Sequence, residues 1–286
     1  MLAPSDPVIA MNDLFAQTAP LPDGIHVGIG GWTFAPWRGG MFYPQGLVQR
    51  RELEYASRHV NAIEINGTWY GTQKPATYAK WREQTPEGFV FTAKAPRRIT
   101  SARTLAGTRG QVEDFVAGIA ELGDRLAVLS WQFEAGRRLE HDDFAAFLEL
   151  LPARAGRHRL RHALEIRDPD FFTPSLLALA RRHRMAIVYT DSPEYPSHAD
   201  LTADFVYARL MRSQADVATG YPLAALKAWA ERAQAWRRGE DPAELPHLQE
   251  ADAPATPREV FVFFISAAKQ HNPAAAMRLL QELAQR

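Results

Sequence analysis

The chain has 286 residues, 46% of them hydrophobic and 23% charged, an ordinary globular composition that one α/β barrel can fill. Its 33 basic residues balance 33 acidic ones, so no excess charge argues for a nucleic acid or an anionic membrane as partner. Cysteine is absent, which excludes a disulfide framework and a thiolate zinc site.

Residues 1–24 are a Pro-containing lead-in without the basic start and apolar run of a signal peptide. They read as an N-terminal extension to a single domain over residues 25–286. No stretch approaches the ~20 apolar residues of a membrane helix, so a cytoplasmic protein with no membrane partner is expected.

Strands and helices then alternate. The first predicted strand is His26–Trp32, whose GIGG run lacks the third glycine of a dinucleotide fingerprint. Trp32, Phe34 and Trp37 follow, with Trp69 and Tyr70 further on; such aromatics either stack a ligand ring or pack long loops. A helix over Val48–His59 leads to strand two, Ala62–Asn66. Strand side chains alternate, so Glu64 and Asn66 share one face and Ile63 and Ile65 the other. After a helix over Pro75–Gln84, strand three, Phe89–Ala95, puts Thr92 and Lys94 on one face. Lys94–Arg103 is a basic loop, suited to a phosphate or simply solvated.

The next elements are a helix over Gln111–Leu122, strand four over Leu126–Phe133 and a helix over Asp142–Leu151. His158 and His162 are four apart but precede a strand and do not lie on a helix, so no metal is expected there; carboxylates alone leave magnesium or manganese open, and no cofactor is expected. Strand five, His162–Arg167, sets Ala163, Glu165 and Arg167 against Leu164 and Ile166. Thr173 as N-cap and Pro174 at the first position open a helix to His183. In strand six, Met185–Asp191, Tyr189 and Asp191 share a face; in strand seven, Phe205–Met211, Tyr207 and Arg209 do. The link between them, Ser192–Asp204, is too short for a full crossover helix. A helix over Leu223–Arg237 precedes Gly239–Glu259, which is rich in Pro, Ala and acid and reads as an exposed, mobile loop. Strand eight, Glu259–Ser266, and a helix over Pro273–Gln285 complete the pattern.

This order predicts a single (β/α)8 TIM-like barrel with an irregular connection between strands six and seven; an open doubly wound sheet is the competitor. The polar inner face favours the barrel. The C-terminal mouth of such a barrel is where chemistry is placed, and Glu64, Lys94, Glu165, Arg167, Asp191 and Arg209 would converge there. Glu64, Lys94, Glu165 and Asp191 are the candidate catalytic groups, with Glu64 and Glu165 as acid and base. Neighbouring carboxylates are expected to keep Lys94 protonated, as an anchor in preference to a Schiff-base amine. Arg167 and Arg209 offer forks for a carboxylate or phosphate, or pair with Glu165 and Asp191. Asn66, Trp32, Tyr70 and His271 complete the candidate substrate-binding set.

The stretches GIGGWTFAPWRGGMFYPQGL, NAIEINGTWYGTQKPATYAKWREQTPEGFVFTAKAPRRIT, RHALEIRDPDFF, DSPEYP and TADFVYARL resemble the YecE-like family, domain of unknown function 72, from about Ile25 onward. The resemblance implies a TIM barrel and supplies no reaction. Glu64, Asn66, Lys94, Glu165, Arg167, Asp191 and Arg209 match it. Gln132-Phe133-Glu134-Ala135 replaces a Gln-Leu-Pro-Pro turn, Met211 a histidine, and Ile265-Ser266 a pair of asparagines.

The leading expectation is a hydrolase or isomerase acting on a small anionic metabolite, a sugar or phosphorylated compound, by acid/base chemistry. The alternative is a non-catalytic barrel that binds nucleic acid or a protein through its Trp-rich and basic loops. Substrate and oligomeric state are left open by the sequence.

Overall fold

A computed structural model describes residues 13–136, 138–249 and 254–285. Half of the expected N-terminal extension, residues 1–12, and residues 250–253 of the expected mobile loop lie outside the described residues. Eight strands, β1 (Ile25–Gly30), β2 (Ala62–Ile65), β3 (Val90–Lys94), β4 (Leu126–Phe133), β5 (His162–Ile166), β6 (Ala186–Asp191), β7 (Phe205–Leu210) and β8 (Glu259–Phe264), pair in sequence order. β1 also pairs in parallel with β8, from Ile25 with Val260 to Ile29 with Phe264, which closes the barrel. The expected TIM-like barrel is therefore the fold.

Among the described residues, seven helices of eight residues or more surround it: α1 (Glu52–His59), α2 (Pro75–Gln84), α3 (Arg109–Ile119), α4 (His141–Leu150), α5 (Pro174–Arg182), α6 (Leu223–Arg238) and α7 (Asn272–Ala284). Helix α5 starts as its sequence dictates, with Thr173 Oγ1 accepting from the Leu176 amide and Pro174 at the first position. Gly239, with φ of 94°, ends α6 in the left-handed region that glycine adopts at little cost. A two-strand hairpin, Arg154–Ala155 with His158–Arg159, precedes β5 and carries too few residues to show a period.

As expected, β6 and β7 are joined without a helix. The link satisfies its own backbone through side chains: Thr202 Oγ1 accepts from the Ile187 amide and donates to the Met185 carbonyl. Where a crossover helix would lie, the described part of residues 239–259 packs instead. Asp200 accepts from the amides of Leu248 and Gln249, the Ala199 amide donates to the Pro246 carbonyl, and Leu245 is buried.

Strand alternation divides the core in two. Outward residues such as Ile63, Phe91, Leu164 and Val262 pack under the helices, while Ala62, Val128, Ala163, Val188, Tyr207 and Phe263 fill the barrel. On β1 the inward positions are His26, Gly28 and Gly30. A Cβ at Gly28 would lie 2.1 Å from the Ala62 carbonyl oxygen, so only glycine lets β1 and β2 close there. At Gly30 it would meet Asn66 Nδ2 at 2.9 Å, and the missing side chain leaves room at the mouth.

The opposite pole is sealed by an ionic cluster. His26 Nε2 lies 2.7 Å from Glu259 Oε1, and Arg161 binds the other oxygen of the same carboxylate. Burial pushes the Glu259 carboxyl up, but bonds to His26 and Arg161 outweigh it and hold its pKa at about 2. A depressed native pKa stabilises the fold above the unfolded value and loses that contribution as pH falls through the native one. Wild type is therefore expected to lose ~2–3 kcal/mol between pH 4.5 and 2 from this residue, and Glu259→Gln to show a flatter slope there in urea melts at stepped pH. Equal slopes would assign the acid lability elsewhere.

Candidate active site at the barrel mouth

The C-terminal ends of β2, β5 and β7 bring Glu64, Glu165 and Arg209 together, all buried. Arg209 Nε and Nη2 donate to Glu64 at 3.1 and 3.0 Å, and Nη1 donates to Glu165 Oε2 at 2.7 Å. Tyr207 Oη donates to Glu64 Oε2 at 2.7 Å. Arg167, just past β5, donates from Nε to Glu165 Oε1 at 2.8 Å, from Nη1 to Glu134 at 3.0 Å and from Nη2 to Gln132 Oε1 at 3.1 Å. Gln132 in turn donates to Glu134. This answers why the inner faces carry charge: one guanidinium bridges two carboxylates from opposite sides of the barrel, and a second caps the array.

Each guanidinium thereby spends three of its five N–H donors within the array. Arg209 pairs with Glu64 and Glu165, not with Asp191 as expected, and its charge is held more firmly still by them although burial opposes it. Burial pushes the Glu165 carboxyl up, but Arg209, Arg167 and Lys94 outweigh it and hold it below the usual range. Glu165 is thus a fixed anion, ill suited to donate or accept a proton near neutrality.

Lys94 behaves otherwise. The oxygens of Glu64 and Glu165 are taken by the arginines and Tyr207, so among the described residues no ion pair within 4.0 Å reaches its ammonium. Lys94 is 7% exposed, and its Nζ stands 4.4 Å from the centroid of the Trp69 ring. Desolvation, reinforced by Arg209 and only partly offset by Glu165 and Glu64, pushes its pKa down to about 8. Lys94 thus stays largely protonated at neutral pH, as expected, but burial and the arginines, which take the carboxylates' hydrogen bonds, bring its titration close to that range.

Above this array is a cavity of about 340 Å³, within the range of small-molecule sites. It is lined from β2, β3, β4 and β5 by Asn66, Lys94, Gln132 and Arg167, and from the segment after β8 by Lys269 and Asn272. Sequence reasoning missed Gln132, Glu134, Lys269 and Asn272 as site residues. Lys269 resembles Lys94: burial lowers its pKa, no carboxylate pairs with it among the described residues, and its Nζ lies 4.7 Å from the Phe34 ring. Asn272, first residue of α7 and 1% exposed, donates to the Ser266 carbonyl, while its Oδ1 is buried without a partner among the described residues. Ser266 and Ala267 at this rim both adopt positive φ, 57° and 47°, a backbone region that non-glycine residues seldom occupy.

Three expected members stand apart. Asp191 shares the outward face with Tyr189, which packs on Trp229 and Trp236 of α6, and its carboxylate binds Arg212 Nε at 2.7 Å. The inward residues of β6 are Ala186, Val188 and Thr190, so Asp191 is not part of the mouth cluster. His271 places Nε2 3.2 Å from the Ala215 carbonyl, while its neighbours Lys269 and Asn272 line the cavity in its stead. Trp32 packs edge-on against Trp81 at 4.9 Å in a separate cleft with Arg50, Lys74 and Lys80. Of the other loop aromatics, Trp37 is fully buried and donates to the Lys269 carbonyl, whereas Tyr70 is 90% exposed at the cavity rim. Among the described residues no group of three or more His, Asp or Glu side chains could hold a metal ion, and no helix is long and apolar enough to cross a membrane.

Residues 26–286 match the model of a family described as protein of unknown function DUF72. Over 258 residues the chain is 27% identical to the UPF0759 protein YecE of Escherichia coli K12, spanning 80% of this chain and 89% of that protein. The UPF0759 protein YunF of Bacillus subtilis is 26% identical over 161 residues, 52% of this chain and 53% of that one. A DUF72 family protein from Thermotoga maritima shares the fold with a TM-score of 0.69 at 19% identity, over 92% of this chain and 99% of its own. One from Enterococcus faecalis does so at 0.64 and 16%, over 91% and 95%.

Proposed function

The chain belongs to the DUF72 family of proteins of unknown function, and from its own geometry we propose that it is an enzyme whose barrel mouth binds a small anionic metabolite. The observation that carries this reading is the pair of ammonium groups, Lys94 and Lys269, that line one cavity of about 340 Å³ with no carboxylate paired to either among the described residues. Six charged groups at the mouth, Glu64, Glu134, Glu165, Lys94, Arg167 and Arg209, sum to zero, yet the negative ones are consumed by the arginines. Lys94 is left without a carboxylate, and Lys269 adds a cation. An anion entering the cavity would meet two poorly hydrated donors, in surroundings where charge interactions are stronger than in water.

The division of labour follows. Arg209 and Arg167 hold Glu64 and Glu165 in place and are structural. Lys269 and the positive end of α7 attract the ligand's charge. Lys94, with a pKa close to the working pH, is the group able to exchange a proton. Asn66 and Asn272 supply polar contacts, and Trp69 a face for the ligand's carbon skeleton.

Mass action makes this measurable. Sulfate, phosphate, dicarboxylates and sugar phosphates are screened by thermal melting; at a hundredfold excess over Kd a binder stabilises the native state by ~2.7 kcal/mol. At least one such anion is expected to raise the melting temperature by about 5 °C, and Lys269→Met to reduce the shift by more than half. A full shift in Lys269→Met would remove that lysine from the site.

A further inference from the structure

We propose that Lys94 is a covalent catalyst, condensing through Nζ with the carbonyl carbon of a small carbonyl compound that also carries a carboxylate or phosphate. This rests on the anion-site reading and specifies its substrate class.

The first ground is the choice of residue. Five of the 33 basic residues are lysine, Lys74, Lys80, Lys94, Lys227 and Lys269, and two of these five face the same cavity. Everywhere else at the mouth the positive charge is a guanidinium, which pairs well with carboxylates but cannot give up its proton. An anchor alone would be served by arginine. A lysine in this place adds what arginine lacks, a nitrogen able to become a nucleophile.

The second ground is the environment of Nζ. Strand β3 delivers it inward, Trp69 covers it, and Arg209 and Arg167 occupy the carboxylates that would otherwise lock it as an ammonium. The like charge of Arg209 and the loss of water both favour the free amine. An amine needed for nucleophilic attack and an ammonium needed for ion pairing call for opposite surroundings, and these are the former.

The third ground is the rest of the lining. Lys269 is placed to hold the anionic end of the ligand while Lys94 meets its carbonyl. Asn272 Oδ1, buried and without a partner among the described residues, offers an acceptor for a hydroxyl on the adduct. The step balances without an added reagent. The C–N bond forms and the carbonyl C–O bond breaks. Two of the three ammonium protons leave with that oxygen as water, and the product is a cationic iminium on Lys94. That cation, beside Glu165 and Glu64, acts as an electron sink for breaking a bond at the adjacent carbon.

The test is reductive trapping. Wild type, Lys94→Met and Lys269→Met are incubated with pyruvate or with dihydroxyacetone phosphate and sodium cyanoborohydride, and modified peptides are mapped. The expected product is a single adduct, the mass of the probe less one oxygen, on Lys94. It should form at least about tenfold faster than on the other four lysines at pH 7.5. It should be absent from Lys94→Met and slower in Lys269→Met. The probe that works tells a carboxylate from a phosphate anchor. Melting temperatures with non-carbonyl anions are measured in parallel. If these shift wild type but both probes label all lysines at similar rates or none, the covalent proposal fails while the anion site stands. If no anion shifts wild type and no adduct forms, both fail.

Discussion

Replacing Arg209 with methionine is expected to cost about 3–5 kcal/mol of folding free energy, among the largest effects of any single change in the barrel. Arg209 is 2% exposed and donates three hydrogen bonds that neutralise two carboxylates from β2 and β5, themselves almost fully buried. Methionine fills similar space but leaves Glu64 and Glu165 to bear their desolvation with no compensating cation on that side. The sign of the pH dependence is a second signature. In the variant the native carboxyl groups should titrate above their unfolded values, so protonation helps the fold. The loss is then expected to be full at pH 8 and to shrink as pH falls through those raised values to about 5. Adding Glu64→Gln and Glu165→Gln should recover much of it. Urea melts at both pH values check this; a cost under ~1 kcal/mol, the size of a surface ion pair, would mean the array is solvated and weak.

Removing Lys94 should have the opposite effect on stability. Lys94→Met breaks no ion pair and removes a desolvated charge, so the variant is expected to be more stable than wild type by on the order of 1–3 kcal/mol at pH 7. Because the native pKa is about 8 and the reference value 10.5, the unfolded chain holds more protons between those limits. Wild type should therefore gain stability from this residue as pH rises from 8 to 10.5, and Lys94→Met should lack that gain. At the same time the anion-induced rise in melting temperature should vanish. Gain of stability with loss of binding marks a residue retained for function. A large drop in stability instead would make Lys94 part of the scaffold.

The barrel was legible because six of its seven crossovers, and the segment after the last strand, carry helical periods and each strand is a short apolar run bounded by turn residues. The mouth was legible where a strand has one clearly polar face, as with Glu64, Thr92–Lys94, Glu165 and Arg209. It failed on β6. Strands of a closed parallel sheet are apolar on both faces, so AIVYTD has no phase of its own, and its terminal charge pointed to the wrong side. Gln132 could have been found, since Val128, Ser130 and Gln132 share the inner face of β4, and Glu134 follows two residues on. Lys269 lies in the irregular turn after β8 and Asn272 at the very start of α7, where no period applies; the scarcity of lysine was the one sequence signal available. Nor does sequence reveal which carboxylate each guanidinium takes. That competition, settled only by geometry, leaves Lys94 unpaired.

The most direct test of the account is the affinity of one anion across pH. Sulfate, or whichever anion of constant charge gives the largest melting shift, is titrated calorimetrically from pH 6.5 to 9.5 in wild type and in Lys94→Arg. If Lys94 is an anchor that titrates near 8, wild-type affinity should hold up to about pH 7.5 and fall roughly tenfold per unit beyond 8.5, while Lys94→Arg stays flat. A wild-type affinity that does not change over this range would contradict the account, because the cavity's charge would then owe nothing to Lys94.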